Sequence, residues 1–196
     1  MLISPRFASA LAYAAELHQE QERKVSGVPY VAHLLRVAGI VLEYGGNEEE
    51  AIAALLHDAL EDQGGMPVLD EIRRRFSEAV AATVLGCSDA HTRPKPPWRD
   101  RKQAHVDQVR GASPSIRMVV AADKLDNARS LLREYRVRGE LLWNFFHGGR
   151  DGTLWYYDAM LAALQGVGIT ALVEEFERTL MEIRRIAQEG DRKFEI

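Results

Sequence analysis

The sequence predicts an all-α, single-domain helical bundle spanning residues 1–196. Apolar residues recur at helical spacing along most of the chain, and no alternating strand pattern competes with them. The breaks between periodic stretches are short Gly- and Pro-containing clusters, with no repeat, low-complexity tract or linker that would divide the chain.

Each element has its own local signal. Phe7 to Glu22 carries Phe7, Leu11, Ala14 and Ala15 on one face after a Ser-Pro start, and "KVSGVPY" ends it. Tyr30 to Tyr44 resumes the pattern through Leu34, Leu35, Val37, Ala38, Val41 and Leu42. "GGN" closes that stretch, and Asn47 with Glu50 offers a capping box for a largely buried helix from Glu49 to Leu60. "QGGMP" breaks the chain again before a helix from Leu69 to Gly86. Helices over Ala104 to Gly111, Ser113 to Arg136 and Leu154 to Leu164 follow, then a last one from Ile169 to about Glu189. The stripe Leu172, Phe176, Leu180 and Ile183 on that helix suits core packing or, alternatively, a dimer face.

A hydrophobic content of 46% and a charged content of 28% are those of an ordinary soluble protein, and 196 residues suffice for a core and a deep pocket. The formal charge of −4 gives no global attraction for nucleic acid or acidic membranes. A lone Cys87 excludes an internal disulfide and fits a reducing compartment. The first residues lack a basic stretch with a long apolar core, so no signal peptide is expected, and no run is long enough to span a bilayer. The expected location is the cytoplasm.

Chemistry concentrates in "ALLHDALED", where His57 and Asp58 stand side by side inside an apolar helical run. An adjacent imidazole and carboxylate are costly to bury unless something binds them, and a divalent metal is the usual ligand. Glu61 and Asp62 follow within a turn, so four ionisable groups end a buried helix, the pattern of an active site. Two ligands alone leave a metal under-coordinated. His33, flanked by Val31, Ala32, Leu34 and Leu35, is either a satisfied core histidine or a ligand, and Asp123 ends an apolar run where a carboxylate needs a partner or a cation. Together His33, His57, Asp58 and Asp123 make two imidazoles and two carboxylates, a donor set suited to Mn²⁺, Fe²⁺ or Zn²⁺ rather than an all-oxygen Mg²⁺ cage. With no Cys pair, a structural zinc site is not expected.

Two further stretches carry candidate binding groups. "HTRPKPPWRDRK", His91 to Lys102, has a local formal charge of +4 from Arg93, Lys95, Arg99, Arg101 and Lys102 against Asp100. It is either a solvated loop or a lip that attracts a phosphorylated substrate. "HGGRDGTLWYYDAM" follows Arg150 with Trp155, Tyr156 and Tyr157, which form either core or a base-stacking surface.

The order His…His-Asp…Asp resembles the HD superfamily of metal-dependent phosphohydrolases. More closely, "ERKVSGVPYVAHLLRVAGIV", "ALLHDALED" and "VVAADKLDNARSLL" are similar to the hydrolase domain of the Rel/Spo-type alarmone enzymes and to the small hydrolase-only members of that group. The resemblance runs from about Gln21 to Leu132, more loosely through Tyr157. It implies an HD-domain helical bundle that removes the 3′-pyrophosphate of (p)ppGpp using Mn²⁺ or another divalent transition metal. It assigns His33, His57, Asp58 and Asp123 to the metal and Glu61 and Asp62 to orienting or activating the attacking water. Arg23, Lys24, Ser26 and Asn127 fall at its nucleotide-pocket positions, Arg150 is matched to phosphate, Trp155 or Tyr156 to the base, and Lys95 or Arg99 to a phosphate contact. Asp126 stands where the family commonly has His, which places extra negative charge near bound phosphates. The alternatives are a phosphatase of another nucleotide, such as a nucleoside phosphate or NADPH, and a non-catalytic nucleotide sensor. Nucleic acid and membrane partners are not expected, and oligomerisation is left open.

Overall fold

Ser4 opens the first helix, α1 (Pro5–Leu17), by accepting the Arg6 N–H at 3.2 Å, with Pro5 at the first helical position where no donor is missed. The structure is a computed structural model that describes residues 3–89, 94–166 and 170–194, with side chains described as far as residue 189. His91 and Arg93 of the basic stretch and the predicted start at Ile169 lie outside the described residues.

Between α1 and α2 (Val31–Glu43) the chain turns back on itself. Arg23 N–H donates to Val28 O at 2.8 Å, Tyr30 N–H to Gln21 O at 2.8 Å, and Gly27 sits at φ +67°, a conformation open to glycine at no steric cost. This turn fixes Arg23 beside Tyr30. The capping box then forms as expected: Glu50 N–H donates to Asn47 Oδ1 at 3.0 Å and Asn47 N–H to Glu50 Oε2 at 2.8 Å, opening α3 (Glu48–Leu56).

The helix expected to run unbroken to Leu60 is divided. α3 ends at Leu56, His57 and Asp58 form a turn, and α4 (Ala59–Asp62) restarts beyond it. The His57 ring occupies the Ala54 carbonyl at 2.8 Å, and Asp58 adopts φ −94°, ψ −5°, so the backbone tightens where the two functional side chains must point to one centre. The helix predicted from Leu69 to Gly86 is likewise two, α5 (Met66–Arg75) and α6 (Glu78–Cys87), because the Ser77 side chain accepts the Val80 N–H at 3.1 Å and caps a new start.

The basic stretch is a helix from Trp98 onward. α7 (Trp98–Arg110) begins directly after Pro97, so Arg99, Arg101 and Lys102 are helical residues. α8 (Pro114–Arg138) follows, then a 3₁₀ segment at Gly139–Phe145, α9 (Gly149–Leu164) and α10 (Thr170–Phe194). α9 starts five residues before the predicted Leu154, taking in Gly149 and Gly152. Trp98 packs onto that start: a Cβ on Gly148 would meet its ring at 2.6 Å. Among the described residues there is no strand, only one isolated bridge between Glu22 and Pro29.

α8 is the central element and packs against α2, α3, α6 and α10. Leu34, Ile52, Leu55, Leu56 and Leu125 are fully buried around it. The α10 stripe Leu172, Phe176, Leu180 and Ile183 is buried, so it serves as core. Phe176→Ala should therefore cost about 3–5 kcal/mol, read as a lowered urea midpoint at unchanged slope.

Candidate metal centre and adjoining cavity

α2, the α3–α4 turn and α8 bring the predicted ligand set together. His33, His57 and Asp58 each present an atom within 4.8 Å of the others. Asp58 Oδ2 lies 2.9 Å from His57 Nε2 and 3.6 Å from His33 Nε2, and Asp123 Oδ1 lies 3.3 Å from His33 Nε2 and 3.6 Å from His57 Nε2. The proton positions on the two rings follow from their other nitrogens. His57 Nδ1 faces a backbone carbonyl and His33 Nδ1 faces a carboxylate oxygen at 2.6 Å, neither of which can donate, so each Nδ1 carries the hydrogen. Both Nε2 atoms are buried and make no hydrogen bond. Two imidazole lone pairs and two carboxylates facing one point, away from water, fit a divalent cation of intermediate softness.

The electrostatics agree. Burial opposes a charge on His33, yet Asp123, Asp126 and Asp58 outweigh it and hold its pKa up to about 9. His57 is raised well above its ordinary value in the same way, against burial, by Asp58 and Asp123. Burial would raise Asp58 and Asp123, but the imidazoles, and for Asp123 foremost Lys124, hold both well below the usual carboxylate range. Protons on the imidazoles thus answer a field that a cation would satisfy.

Two acidic groups border this centre. Glu61 Oε1 accepts from Lys95 Nζ at 2.7 Å; burial and the nearby Asp89 charge raise its pKa, and Lys95 only partly offsets them. Asp62 Oδ2 accepts from Gln21 Nε2 at 2.8 Å, and burial with the Asp58 charge raises it too. Asp89 is held down by Lys102 and by Arg101, whose Nη1 lies 2.5 Å away.

A polar cleft of about 210 Å³, walled by Asp58, Glu61, Asp62, Asp123, His105 and Lys124 among others, opens over the cluster. A larger cavity of about 400 Å³ adjoins it, and Arg23, Tyr30, Lys102, Lys124, Asn127 and Tyr156 line both. Arg23 Nη2 donates to Asn127 Oδ1 at 2.6 Å, and Asn127 Nδ2 to Asp123 Oδ1 at 2.5 Å, a chain linking cavity to centre. Lys24 and Ser26 line the larger cavity only.

Four predicted contacts stand apart from both cavities. Arg99 lies over the Trp155 ring, 3.1 Å from its centroid, and neither residue lines a cavity. Arg150 approaches Glu140 at 3.7 Å, and Lys95 reaches Glu61 from the rim. Asp126 also departs from expectation. It lines neither cavity, sits behind His33 and is paired with Arg36, so its charge is spent inside the fold rather than beside phosphate.

Several lining residues escaped the sequence reading. Tyr30 Oη donates to Asp58 Oδ2 at 2.7 Å, and Lys124 Nζ to Asp123 Oδ2 at 2.6 Å. Arg133, Phe145, Phe146 and His147 line the far end of the larger cavity. Ser130 and Glu134 of α8 line it too, and their three- or four-residue spacing from the predicted Asp123 and Asn127 was an available signal for them.

Comparison with known proteins agrees with this geometry. Residues 10–154 match the family model described as HD domain. The chain is 36% identical over 141 residues to guanosine-3′,5′-bis(diphosphate) 3′-pyrophosphohydrolase MESH1 of Homo sapiens, covering 67% of this chain and 76% of that protein. It is 35% identical over 122 residues to the guanosine-3′,5′-bis(diphosphate) 3′-pyrophosphohydrolase of Aquifex aeolicus, covering 62% of this chain but 17% of that longer protein. A solved structure described as a metazoan ortholog of SpoT that hydrolyzes ppGpp superposes with a TM-score of 0.74 at 26% identity, covering 91% of this chain and 97% of the other.

Proposed function

From the premise that the chain belongs to the HD domain family, we propose that it is a metal-dependent hydrolase of guanosine 3′,5′-bis(diphosphate) that releases the 3′-pyrophosphate. The observation that carries this is the pair of buried, unbonded His33 and His57 Nε2 atoms facing Asp58 and Asp123, with a cationic, aromatic cavity alongside. The relatives named for this activity support the choice of substrate.

His33, His57, Asp58 and Asp123 would hold the ion; their mixed donors suit Mn²⁺, Fe²⁺ or Zn²⁺, of which the resemblance points to Mn²⁺. Such an ion, when bound, supplies Lewis acidity toward a phosphoryl oxygen and acidifies water. The remaining chemistry belongs to side chains. Glu61, with Asp62 beside it, accepts the proton of the attacking water, and the raised pKa of both suits them to that task near neutrality. A new bond forms from the water oxygen to the phosphorus carried on the ribose 3′-oxygen. The bond between that phosphorus and the 3′-oxygen breaks, the 3′-oxygen takes up a proton, and GDP leaves with pyrophosphate. Lys102 and Lys124, which face both cavities, offset charge on the phosphates as it shifts to the leaving oxygen. Arg23, Lys24, Ser26, Asn127 and Tyr156 hold the nucleotide, the Tyr156 ring offering a stacking face between Lys102 and Lys124. Among the described residues no helix is long and apolar enough to cross a membrane.

Product analysis tests this reading. Purified protein with Mn²⁺ and ppGpp should yield GDP and pyrophosphate, a chelator should stop it, and GTP, GDP and NADPH should be turned over far more slowly. Release of phosphate from one of those nucleotides with ppGpp left intact would keep the hydrolase and replace the substrate.

A further inference from the structure

His33 and His57 face the same point but are fixed by different means. His57 Nδ1 donates to the Ala54 carbonyl, a backbone group three residues back in the helix that it follows. His33 Nδ1 donates to Asp126, a side chain of α8 ninety-three residues away, at 2.6 Å. Asp126 is 2% exposed, and its two oxygens are divided between partners: Arg36 Nε donates to Oδ1 at 2.5 Å and Arg36 Nη2 to Oδ2 at 3.2 Å. Arg36 lies on α2 three residues after His33, so the guanidinium and the imidazole project from one face and close on the same carboxylate. A buried carboxylate lacking either partner would carry a heavy desolvation cost.

We infer that Asp126, clamped by Arg36, is the positioning residue that fixes the tautomer and ring plane of His33 and thereby sets how tightly the centre holds its divalent ion. The inference rests on the reading that His33 is a ligand. Because a carboxylate only accepts, the hydrogen is kept on Nδ1, and the Nε2 lone pair stays aimed between Asp58 and Asp123. The negative charge behind the ring also makes the imidazole a better donor to a cation. Arg36, its side chain 39% exposed, neutralises the carboxylate enough to keep it buried. "DKLDN" thus supplies from one helix a group facing the ion, Asp123, and a group behind the ligand on the opposite side, Asp126.

Mn²⁺ titration of the protein, followed by the loss of the free-ion EPR signal, tests this with wild type, Asp126→Asn and His33→Ala. The expected result is a Kd about 10- to 100-fold weaker in Asp126→Asn, the usual cost of losing such a partner, with the thermal midpoint of the metal-free protein little changed. A Kd within twofold of wild type together with a lowered metal-free midpoint would overturn the inference, leaving Asp126 as a tie between α2 and α8. If wild type takes up no Mn²⁺, or His33→Ala binds it as wild type does, the ligand reading itself fails and the inference falls with it. A second measurement needs no variant. In wild type loaded with ¹¹³Cd²⁺, the His33 ring should show coupling of the metal to Nε2 and a retained, strongly deshielded proton on Nδ1; coupling through Nδ1 would refute the arrangement.

Discussion

Asp58→Ala is expected to lose the divalent ion and the activity together. Asp58 supplies the oxygen nearest His57 Nε2, at 2.9 Å, and also approaches His33 Nε2, so its removal takes away one of the two carboxylates that both imidazoles share. Two histidines and Asp123 remain, with Tyr30 Oη deprived of its acceptor. The several kcal/mol that an ion contributes to a phosphoryl-transfer transition state corresponds to about 10³-fold or more in rate, at ~1.4 kcal/mol per tenfold. Metal content by elemental analysis and kcat/KM with ppGpp should fall in parallel. Wild-type metal content combined with lost turnover would instead place Asp58 in the chemistry and remove it from the ligand set.

Glu61→Gln should show the opposite pattern, with the ion kept and turnover lost by about 10²-fold or more, the usual contribution of a general base. The amide still offers Lys95 an acceptor, so the 2.7 Å contact and the local fold are preserved. The pH profile carries the sign. A carboxyl raised by burial and by Asp89 is protonated below its raised pKa and cannot take the water's proton. kcat/KM should therefore rise with pH along an acid limb lying above the ordinary glutamate value of about 4.3. Lys95→Ala removes the partner that holds the pKa down, so the limb should move to higher pH, and in Glu61→Gln it should vanish. A limb that survives in Glu61→Gln belongs to another group, and a downward move in Lys95→Ala contradicts the ion pair.

The metal centre was legible in the sequence because burial makes it so. A charged pair inside "ALLHDALED" and a carboxylate ending "VVAAD" are costly placements without a partner or a cation, His33 between Ala32 and Leu34 stood open between core and ligand until the resemblance assigned it, and the structure brings the four side chains together. Helix identity was equally readable from apolar spacing, while helix ends were not. The breaks at His57 and Ser77 arise from side-chain hydrogen bonds to single backbone groups, which leave the apolar pattern intact. The larger cavity was the least legible part. Phe145, Phe146 and His147 share its wall with Arg23, Lys24 and Arg133 of α8 because the 3₁₀ segment packs against α8, a juxtaposition without local signal. Trp155 and Tyr156 are neighbours with the same aromatic character, yet the helical turn of α9 sends one beneath Arg99 and the other into the cavity wall. Asp126 shows the same limit: its position in "DKLDN" was plain, but its partners Arg36 and His33 come from another helix.

α8 contributes at both ends of the joined cavities. Asp123 stands in the His/Asp cluster and Glu134, beside Arg133, in the wall of the larger cavity, eleven residues further along one unbroken helix, a rise of about 16 Å. Backbone hydrogen bonds hold that span constant, so the two ends cannot drift toward each other. One rigid rod therefore fixes the spacing between the acidic cluster and Glu134, and repacking of neighbouring side chains leaves that distance unchanged.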